Sequence, residues 1–162
     1  MEIVLFELGN WRCGLSVPVV REILRAATVV PLPKAPAVIL GVINLRGVII
    51  PVFDIRLRFG LPTKTVLPSD YFIVVKAGQR LAALWVDGVL DVAQLAEHAV
   101  KNIQELTPHA EYVTGVAKLA DGLVLLYDLE AFLSAAEANQ LEEALLSMDD
   151  KASWTDIGGA GI

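Results

Sequence analysis

The residue types that most often perform chemistry in proteins are scarce in this 162-residue chain. His98 and His109 are the only histidines, and neither has a cysteine or a second histidine at the spacing of metal ligands. Cys13, the only cysteine, has no base near it in sequence and lies in an alternating strand, which indicates a small core residue rather than a nucleophile. Asp54 and Asp128 each follow a strand and precede a helical turn, so helix capping explains them better than acid–base catalysis. The sequence therefore predicts no metal site, no cofactor and no catalytic residue.

Arg46 is a different kind of candidate, because its chemistry is recognition. Two β-branched apolar runs flank residues 44–47, a pattern that predicts a tight hairpin turn between two strands. A turn places the guanidinium at the surface, where an arginine in an apolar frame is a typical anchor for a partner. The alternative is a turn residue of no consequence. Glu22, inside the apolar stretch 19–24, poses the same choice, and strand alternation favours a solvated strand face over a recognition surface.

Composition narrows the class of protein. With 55% hydrophobic and 20% charged residues the chain is not a disordered sequence, and its mean hydropathy of +0.57 hints at apolar surface kept for partners. A net charge of −6 argues against a nucleic-acid or anionic-membrane surface. No apolar run reaches the roughly 18 residues of a membrane span, because polar residues interrupt the best candidate. The amino terminus lacks a signal-peptide pattern, and a lone cysteine fits a reducing cytoplasm.

The chain contains an internal repeat, and Cys13, Glu22, Arg46 and Asp54 lie in its first copy. Gly9 aligns with Gly78 and Gly41 with Gly115, so the two offsets are 69 (78 − 9) and 74 (115 − 41). The matched blocks are 4–23 with 73–92, and 41–55 with 115–129. Their common order predicts one fold used twice. Each half then holds about five strands at the spacing of a small β-barrel.

The predicted organisation is a single domain over 1–148. Its two intimately packed barrel halves cover about 1–62 and 69–127, joined by a proline-containing linker at 61–68. From Asp128 onward apolar residues recur at helical spacing, which predicts an amphipathic helix over about 128–148. The glycine-rich end, 149–162 with Trp154, is expected to be a flexible tail.

Four segments give the chain a family resemblance. They are residues 20–23, 41–54 with Arg56 and Phe59 after them, 86–92, and 111–115. In these segments the chain resembles the CheW-like domain family, and the Asn44-Leu45-Arg46-Gly47 core is the most specific match. The resemblance implies a mainly β fold of two five-stranded SH3-like β-barrel subdomains packed together.

The same resemblance implies a function. Members are non-enzymatic adaptors that couple the cytoplasmic tip of methyl-accepting chemoreceptors to the regulatory domain of a CheA-type histidine kinase in bacterial chemotaxis. The implied location is the cytoplasm, at membrane-associated receptor arrays, with no nucleic acid bound and no direct membrane insertion. The residues that match partner-binding positions are Val20, Glu22, Ile23, Gly41, Asn44, Arg46 and Gly47, with Val86 and Val89 as a candidate kinase-facing surface.

Three alternatives compete with this interpretation. Relatives with this fold also serve chemosensory pathways that control type IV pili motility or surface sensing, and the sequence does not separate those pathways. A histidine kinase fragment would need an ATP-binding region, for which the chain has no room beside two barrels. A small-ligand-binding β-barrel would need a pocket with convergent polar groups, and the sequence shows none.

Overall fold

The structure is a computed structural model, and it describes residues 1–96, 100–101, 113–119 and 122–128, together with positions 144 and 146. Eleven strands are found in these residues. In chain order they are β1 (Glu2–Leu8), β2 (Trp11–Ser16), β3 (Val20–Arg25), β4 (Ile39–Leu45), β5 (Val48–Phe53), β6 (Tyr71–Ala77), β7 (Arg80–Val86), β8 (Gly88–Gln94), β9 (Val100–Lys101), β10 (Val113–Leu119) and β11 (Gly122–Tyr127). Short 3-10 helices lie at Val17–Val19 and Ile55–Phe59.

The strands form two sheets with equivalent strand orders. Sheet A runs β8-β1-β2-β11-β10-β9, and sheet B runs β3-β6-β7-β5-β4. The prediction of a mainly β fold of two five-stranded units is confirmed, and sheet A adds the two-residue strand β9 at its edge.

Each repeat gives its first hairpin to the other sheet. Hairpin β1-β2 joins β8 and β11, whereas hairpin β6-β7 joins β3 and β5. In both cases the first strand of the hairpin pairs antiparallel with the edge strand, β8 or β3. The second strand pairs parallel with β11 or β5. The repeat is therefore present in the topology. The predicted division into barrels over 1–62 and 69–127 is wrong, because each sheet combines strands from both halves of the chain.

The exchange follows from where the apolar side chains point. In β6, Phe72 and Val74 face the interior of sheet B, while Ile73 and Val75 face a separate core between the two sheets. Successive side chains of a strand point to opposite faces, so a hairpin that is apolar on both faces needs cover on both. The position between the two sheets gives it that cover.

Burial on both strand faces also accounts for much of the high hydropathy. The described residues form three hydrophobic cores. Each curled sheet encloses one core, and the third lies between the two sheets. Trp85 and Phe72, both fully buried, pack in the interior of sheet B, where the ligand of a small-ligand-binding barrel would lie. The hint that apolar excess is reserved for partners is thus only part of the explanation.

Local predictions fared well where a turn or a cap fixes the chain. The hairpins turn at 9–10, 46–47 and 78–79 as predicted, and residues 61–70 form no strand. Asp54 accepts a hydrogen bond from the Arg56 N–H at 3.2 Å, which caps the second 3-10 helix as predicted. Of the predicted helix 128–148, positions 144 and 146 are helical. Asp128, the predicted cap, is described and is not itself helical. Residues 129–143, 145 and 147–148 of the predicted helix, and the tail 149–162 with Trp154, lie outside the described residues.

Candidate functional site

The turn that carries Arg46 has an unusual backbone. Arg46 has φ 51° and Gly47 has φ 87°, and Leu45 pairs with Val48 across the two-residue loop. Positive φ at both positions suits the twist of a hairpin, but the left-handed region is unfavourable for a residue with a side chain. Asn44 supports the turn, because its side-chain oxygen accepts the Gly47 N–H at 2.8 Å. The backbone does not favour arginine here, so the contacts of the Arg46 side chain must explain it.

Arg46 forms a two-point ion pair with Glu22. Its Nη1 donates to Glu22 Oε1 at 3.2 Å and its Nη2 donates to Oε2 at 2.5 Å. The hydrogen bond from Arg46 lowers the pKa of Glu22, and the same bond raises the pKa of Arg46. The Arg46 side chain is nevertheless 69% exposed. The structure thus brings together two predicted site residues that are 24 positions apart in the chain, with the guanidinium open to solvent.

This ion pair also spans the two edges of sheet B. Glu22 lies on β3 and Arg46 follows β4, and these strands stand at opposite ends of the sheet order. Elsewhere the same gap is closed by a backbone bridge in which Val30 and Val42 exchange hydrogen bonds of 2.9 and 2.8 Å. The pair therefore lies where the sheet curls back toward itself.

Gly41 permits the close backbone contact between Val30 and Val42 that closes this gap. A Cβ at position 41 would lie 2.3 Å from the Val30 carbonyl oxygen, closer than any real contact. Only glycine lets the backbones of this bridge approach so closely. Gly41 is buried, so it contributes to this region through the backbone, and its predicted contact with a partner stays a prediction.

Along β3, alternate residues face different environments. Arg21, Ile23 and Arg25 are exposed, whereas Val20, Glu22 and Leu24 are half-buried. Glu22 shares its strand face with Leu24, which packs against the interior core of sheet B. The alternation has the opposite phase to the predicted one, since Glu22 lies on the more buried face of β3, but its side chain stays 33% exposed at the surface. Ile23, 40% exposed, is the apolar residue of β3 that a partner can reach.

The predicted kinase-facing residues divide into a core residue and a surface neighbour. Val86 is fully buried in the core between the sheets, so its side chain cannot meet a partner. Val89 on β8 is half-buried and packs against the same core. The reachable apolar residues of this region are Leu90 and Val92, at 42% and 51% exposure. Sequence reasoning missed them, although their match to exposed positions of β3 in the repeat could have indicated them.

A second charged cluster lies beneath the surface, beside the linker. Arg56 is 2% exposed, pairs with Asp87 and stacks over the Trp85 ring with its guanidinium carbon 4.2 Å from the centroid. Lys64 Nζ donates to Asp87 Oδ1 at 2.6 Å and to Asp70 Oδ1 at 2.9 Å. The Trp85 indole N–H donates to Asp70 Oδ2 at 3.0 Å. This cluster ties the linker and the second 3-10 helix to strand β7.

Hydrogen bonds set the protonation of the two cluster aspartates. Burial alone would raise the pKa of Asp70, but hydrogen bonds from the Leu67 N–H, Trp85 and Lys64 outweigh it and lower the pKa. Burial acts on Asp87 in the same way, and the hydrogen bonds from Lys64 and Gly9 with the charge of Arg56 lower its pKa. Both carboxylates therefore stay ionised to a lower pH than an ordinary aspartate.

The remaining chemical candidates have structural positions. Cys13 is fully buried, as predicted, and its Sγ lies 3.0 Å from the Tyr127 hydroxyl. Burial raises the pKa of its thiol to about 12, which keeps it protonated and unreactive. Among the described residues no group of three or more His, Cys, Asp or Glu is arranged to hold a metal ion. His98 and His109 lie outside those residues.

The exposed ion pair borders a groove of about 540 Å³. Strands β3, β5, β6 and β7 and the Arg46 turn surround it at one end of sheet B. Its lining residues are Arg21, Glu22, Leu45, Arg46, Val48, Ile50, Val74, Lys76, Gln79 and Leu81. We call this groove the mouth of sheet B. None of the helices in the described part of the chain has the length and hydropathy of a membrane-spanning segment.

Comparison with known proteins gives one consistent result. The family model described as "CheW-like domain" matches residues 2–137. "Chemotaxis protein CheW" of Klebsiella aerogenes is 36% identical over 138 residues, which covers 84% of this chain and 83% of that protein. "Chemotaxis protein CheW" of Rhizobium meliloti is 28% identical over 138 residues, covering 84% and 89%. The crystal structure of scaffolding protein TtCheW from Thermoanaerobacter tengcongensis superposes with a TM-score of 0.76 at 31% identity, covering 83% of this chain and 93% of that one.

Proposed function

The chain belongs to the CheW-like domain family of chemotaxis scaffold proteins, and from this premise we propose that it is a non-enzymatic adaptor that couples chemoreceptors to a CheA-type histidine kinase. It acts in the cytoplasm at receptor arrays, where it holds the cytoplasmic tip of a receptor and the regulatory domain of the kinase together. Its work is to bind both proteins at once.

The Arg46–Glu22 pair is the observation that carries the proposal. An ion pair this exposed contributes little to folding, because water and salt screen it. The turn nevertheless keeps an arginine at φ 51°, where glycine or asparagine would be less strained. A costly backbone that presents a solvent-facing guanidinium is best explained by a partner that uses this cation.

The exposure of apolar side chains supports the rest of the proposed coupling surface. Ile23 on β3 extends the Arg46 site along the edge of sheet B. Leu90 and Val92 on β8 form the corresponding edge of sheet A, and we assign them, with Val89 behind them, to the kinase-facing surface in place of Val86. Two edges on different sheets let one small domain contact two proteins without overlap.

The test is formation of a ternary complex. Purified protein is mixed with a receptor cytoplasmic tip and a CheA-type kinase, the mixture is sedimented, and kinase autophosphorylation is measured. We expect the three proteins to co-sediment and autophosphorylation to rise only when this chain is present. Binding to neither partner would rule out the adaptor function.

A charge reversal at the turn then assigns the site. Arg46→Asp places a carboxylate opposite Glu22 and should abolish coupling while the circular dichroism spectrum and the unfolding midpoint stay native. Lys118→Asp is the matched control, because Lys118 is an exposed cation on sheet A, away from the Arg46 turn. An Arg46→Asp variant that unfolds would show that Arg46 is structural, and equal loss in both variants would show a nonspecific charge effect.

A further inference from the structure

The mouth of sheet B has an apolar floor that continues the core. Ile50 and Val74, both almost fully buried, close its bottom, and half-buried Leu45 and Leu81 form its walls. Val48, 49% exposed, stands at the rim. A partner side chain that enters the mouth therefore meets hydrocarbon below it.

The rim of the mouth carries mainly positive charge. Arg21, Arg46 and Lys76 line it with Glu22 as the one acidic residue. This is notable in a chain with a net charge of −6. Among the described residues, Glu22 pairs with Arg46, and neither Arg21 nor Lys76 has an ion-pair partner.

The corresponding end of sheet A shows that the fold does not require this charge. By the repeat, Lys76 corresponds to Glu7 and Leu81 to Arg12. Glu7 and Arg12 are direct cross-strand partners in β1-β2, so opposite charges face each other there. Lys76 faces Leu81 at the same place in β6-β7, and no anion balances it. At this pair of positions, the unbalanced cation is thus found in sheet B and not in sheet A.

We propose that the mouth of sheet B receives an acidic segment of a partner protein, in which one apolar side chain lies on the floor and an adjacent carboxylate pairs with the rim cations. The apolar side chain contacts Leu45, Val48 and Leu81. The carboxylate reaches Lys76 and Arg21, and Arg46 takes part while it remains oriented by Glu22. This inference rests on the proposed adaptor function, for which it names the chemistry of the bound segment.

The experiment uses two short peptides as probes and the full chain as receptor. One peptide has a leucine-phenylalanine pair flanked by aspartates, and the other has the same pair flanked by lysines. Each is titrated into ¹⁵N-labelled protein while amide shifts are followed by NMR. We expect the acidic peptide to shift amides that line the mouth, such as those of Val48, Gln79 and Leu81, and the basic peptide to leave them unchanged.

A matched pair of variants tests the role of charge. Lys76→Glu should weaken binding of the acidic peptide roughly fivefold, since a partly exposed attraction is replaced by a repulsion. Lys118→Glu, which makes the same change on sheet A, should leave the affinity unchanged. Equal shifts from both peptides, shifts outside the mouth, or equal loss in both variants would overturn the proposal.

The peptide titration needs neither signalling partner, so its outcome is separate from that of co-sedimentation. Shifts at the mouth without a ternary complex would refute the adaptor function and keep the acidic-segment site. A ternary complex without shifts at the mouth would keep the adaptor function and refute the site.

Discussion

Two places in this fold bring opposite charges together, and their surroundings differ sharply. The Arg46–Glu22 pair stands at the surface with the arginine side chain 69% exposed. The cluster of Arg56, Asp87 and Lys64 lies against Trp85, with the Arg56 side chain only 3% exposed. A buried charge that loses its partner is expensive, whereas an exposed pair is screened by water. The comparison separates charges that hold the fold from charges that are available to partners.

Removing Arg56 should have the largest effect on stability. Arg56→Leu leaves Asp87 without its buried cation and removes the guanidinium that stacks on Trp85. We expect the free energy of unfolding to fall by about 3–5 kcal/mol, the usual cost of breaking a buried ion pair from one side. Urea denaturation measures it. Arg21→Leu, an exposed arginine on β3, is the control and should change stability by less than about 0.5 kcal/mol. Equal losses in the two variants would erase the distinction between the clusters.

Acid should weaken the buried cluster next. The pKa values of Asp70 and Asp87 are lowered in the folded protein. Their ionised forms therefore stabilise the fold fully above the unfolded-state pKa of about 4, and this stability is lost as the pH falls through the lower folded-state values. Burial raises the pKa of Asp54, so protonation of Asp54 partly offsets the loss.

Thermal unfolding across the acidic range measures this effect. The melting temperature should decline steeply below about pH 4, and a variant with both Asp70→Asn and Asp87→Asn should start lower and decline less. Parallel declines in the two proteins would mean that other carboxylates control acid unfolding.

Lys64 should show an intermediate effect, because it joins the buried cluster from the solvent side. Burial alone would lower its pKa, but hydrogen bonds to Asp87 and Asp70 outweigh burial and raise it. Its side chain is 29% exposed, and Lys64→Met should cost about 1 kcal/mol or less of unfolding free energy. High salt should reduce the difference from wild type. A loss as large as that of Arg56→Leu would show that the linker is held by Lys64 and not by the buried arginine.

The exposed pair should contribute least to stability and most to coupling. Arg46→Ala is expected to leave the urea midpoint at the wild-type value, because Glu22 remains solvated at the surface. The same variant should lose stimulation of kinase autophosphorylation in the presence of receptor. A shifted midpoint with normal stimulation would reverse the assignment of the two charged sites.

Local patterns predicted the parts of this structure that depend on neighbouring residues. The hairpin at Arg46, the cap at Asp54 and the buried Cys13 each follow from a few adjacent side chains. The burial of Val86 and the charged cluster around Arg56 depend on strands that are distant in sequence, and one-strand alternation does not reveal them. The phase of β3, which places Glu22 toward Leu24, was open for the same reason.

The exchange of hairpins shows that a correctly identified repeat does not determine which strands pair. The matched blocks identified two copies of one fold, but a repeat says nothing about whether a copy pairs with itself. The pairing is decided by the apolar side chains on both faces of β6 and β1. Both faces are covered when each hairpin lies between the two sheets.

The exchanged hairpins set the order in which the chain can be completed during synthesis. Leu125 on β11 pairs with Cys13 on β2, which leaves the ribosome 112 residues earlier (125 − 13). The face of hairpin β1-β2 that belongs to the interior of sheet A therefore waits for β10 and β11, until nearly the whole domain has been made. Pairings this distant slow folding, and the waiting strands are open to pairing with other chains. Sheet B, whose strands are all complete by residue 86, can assemble first and serve as the surface on which sheet A is finished.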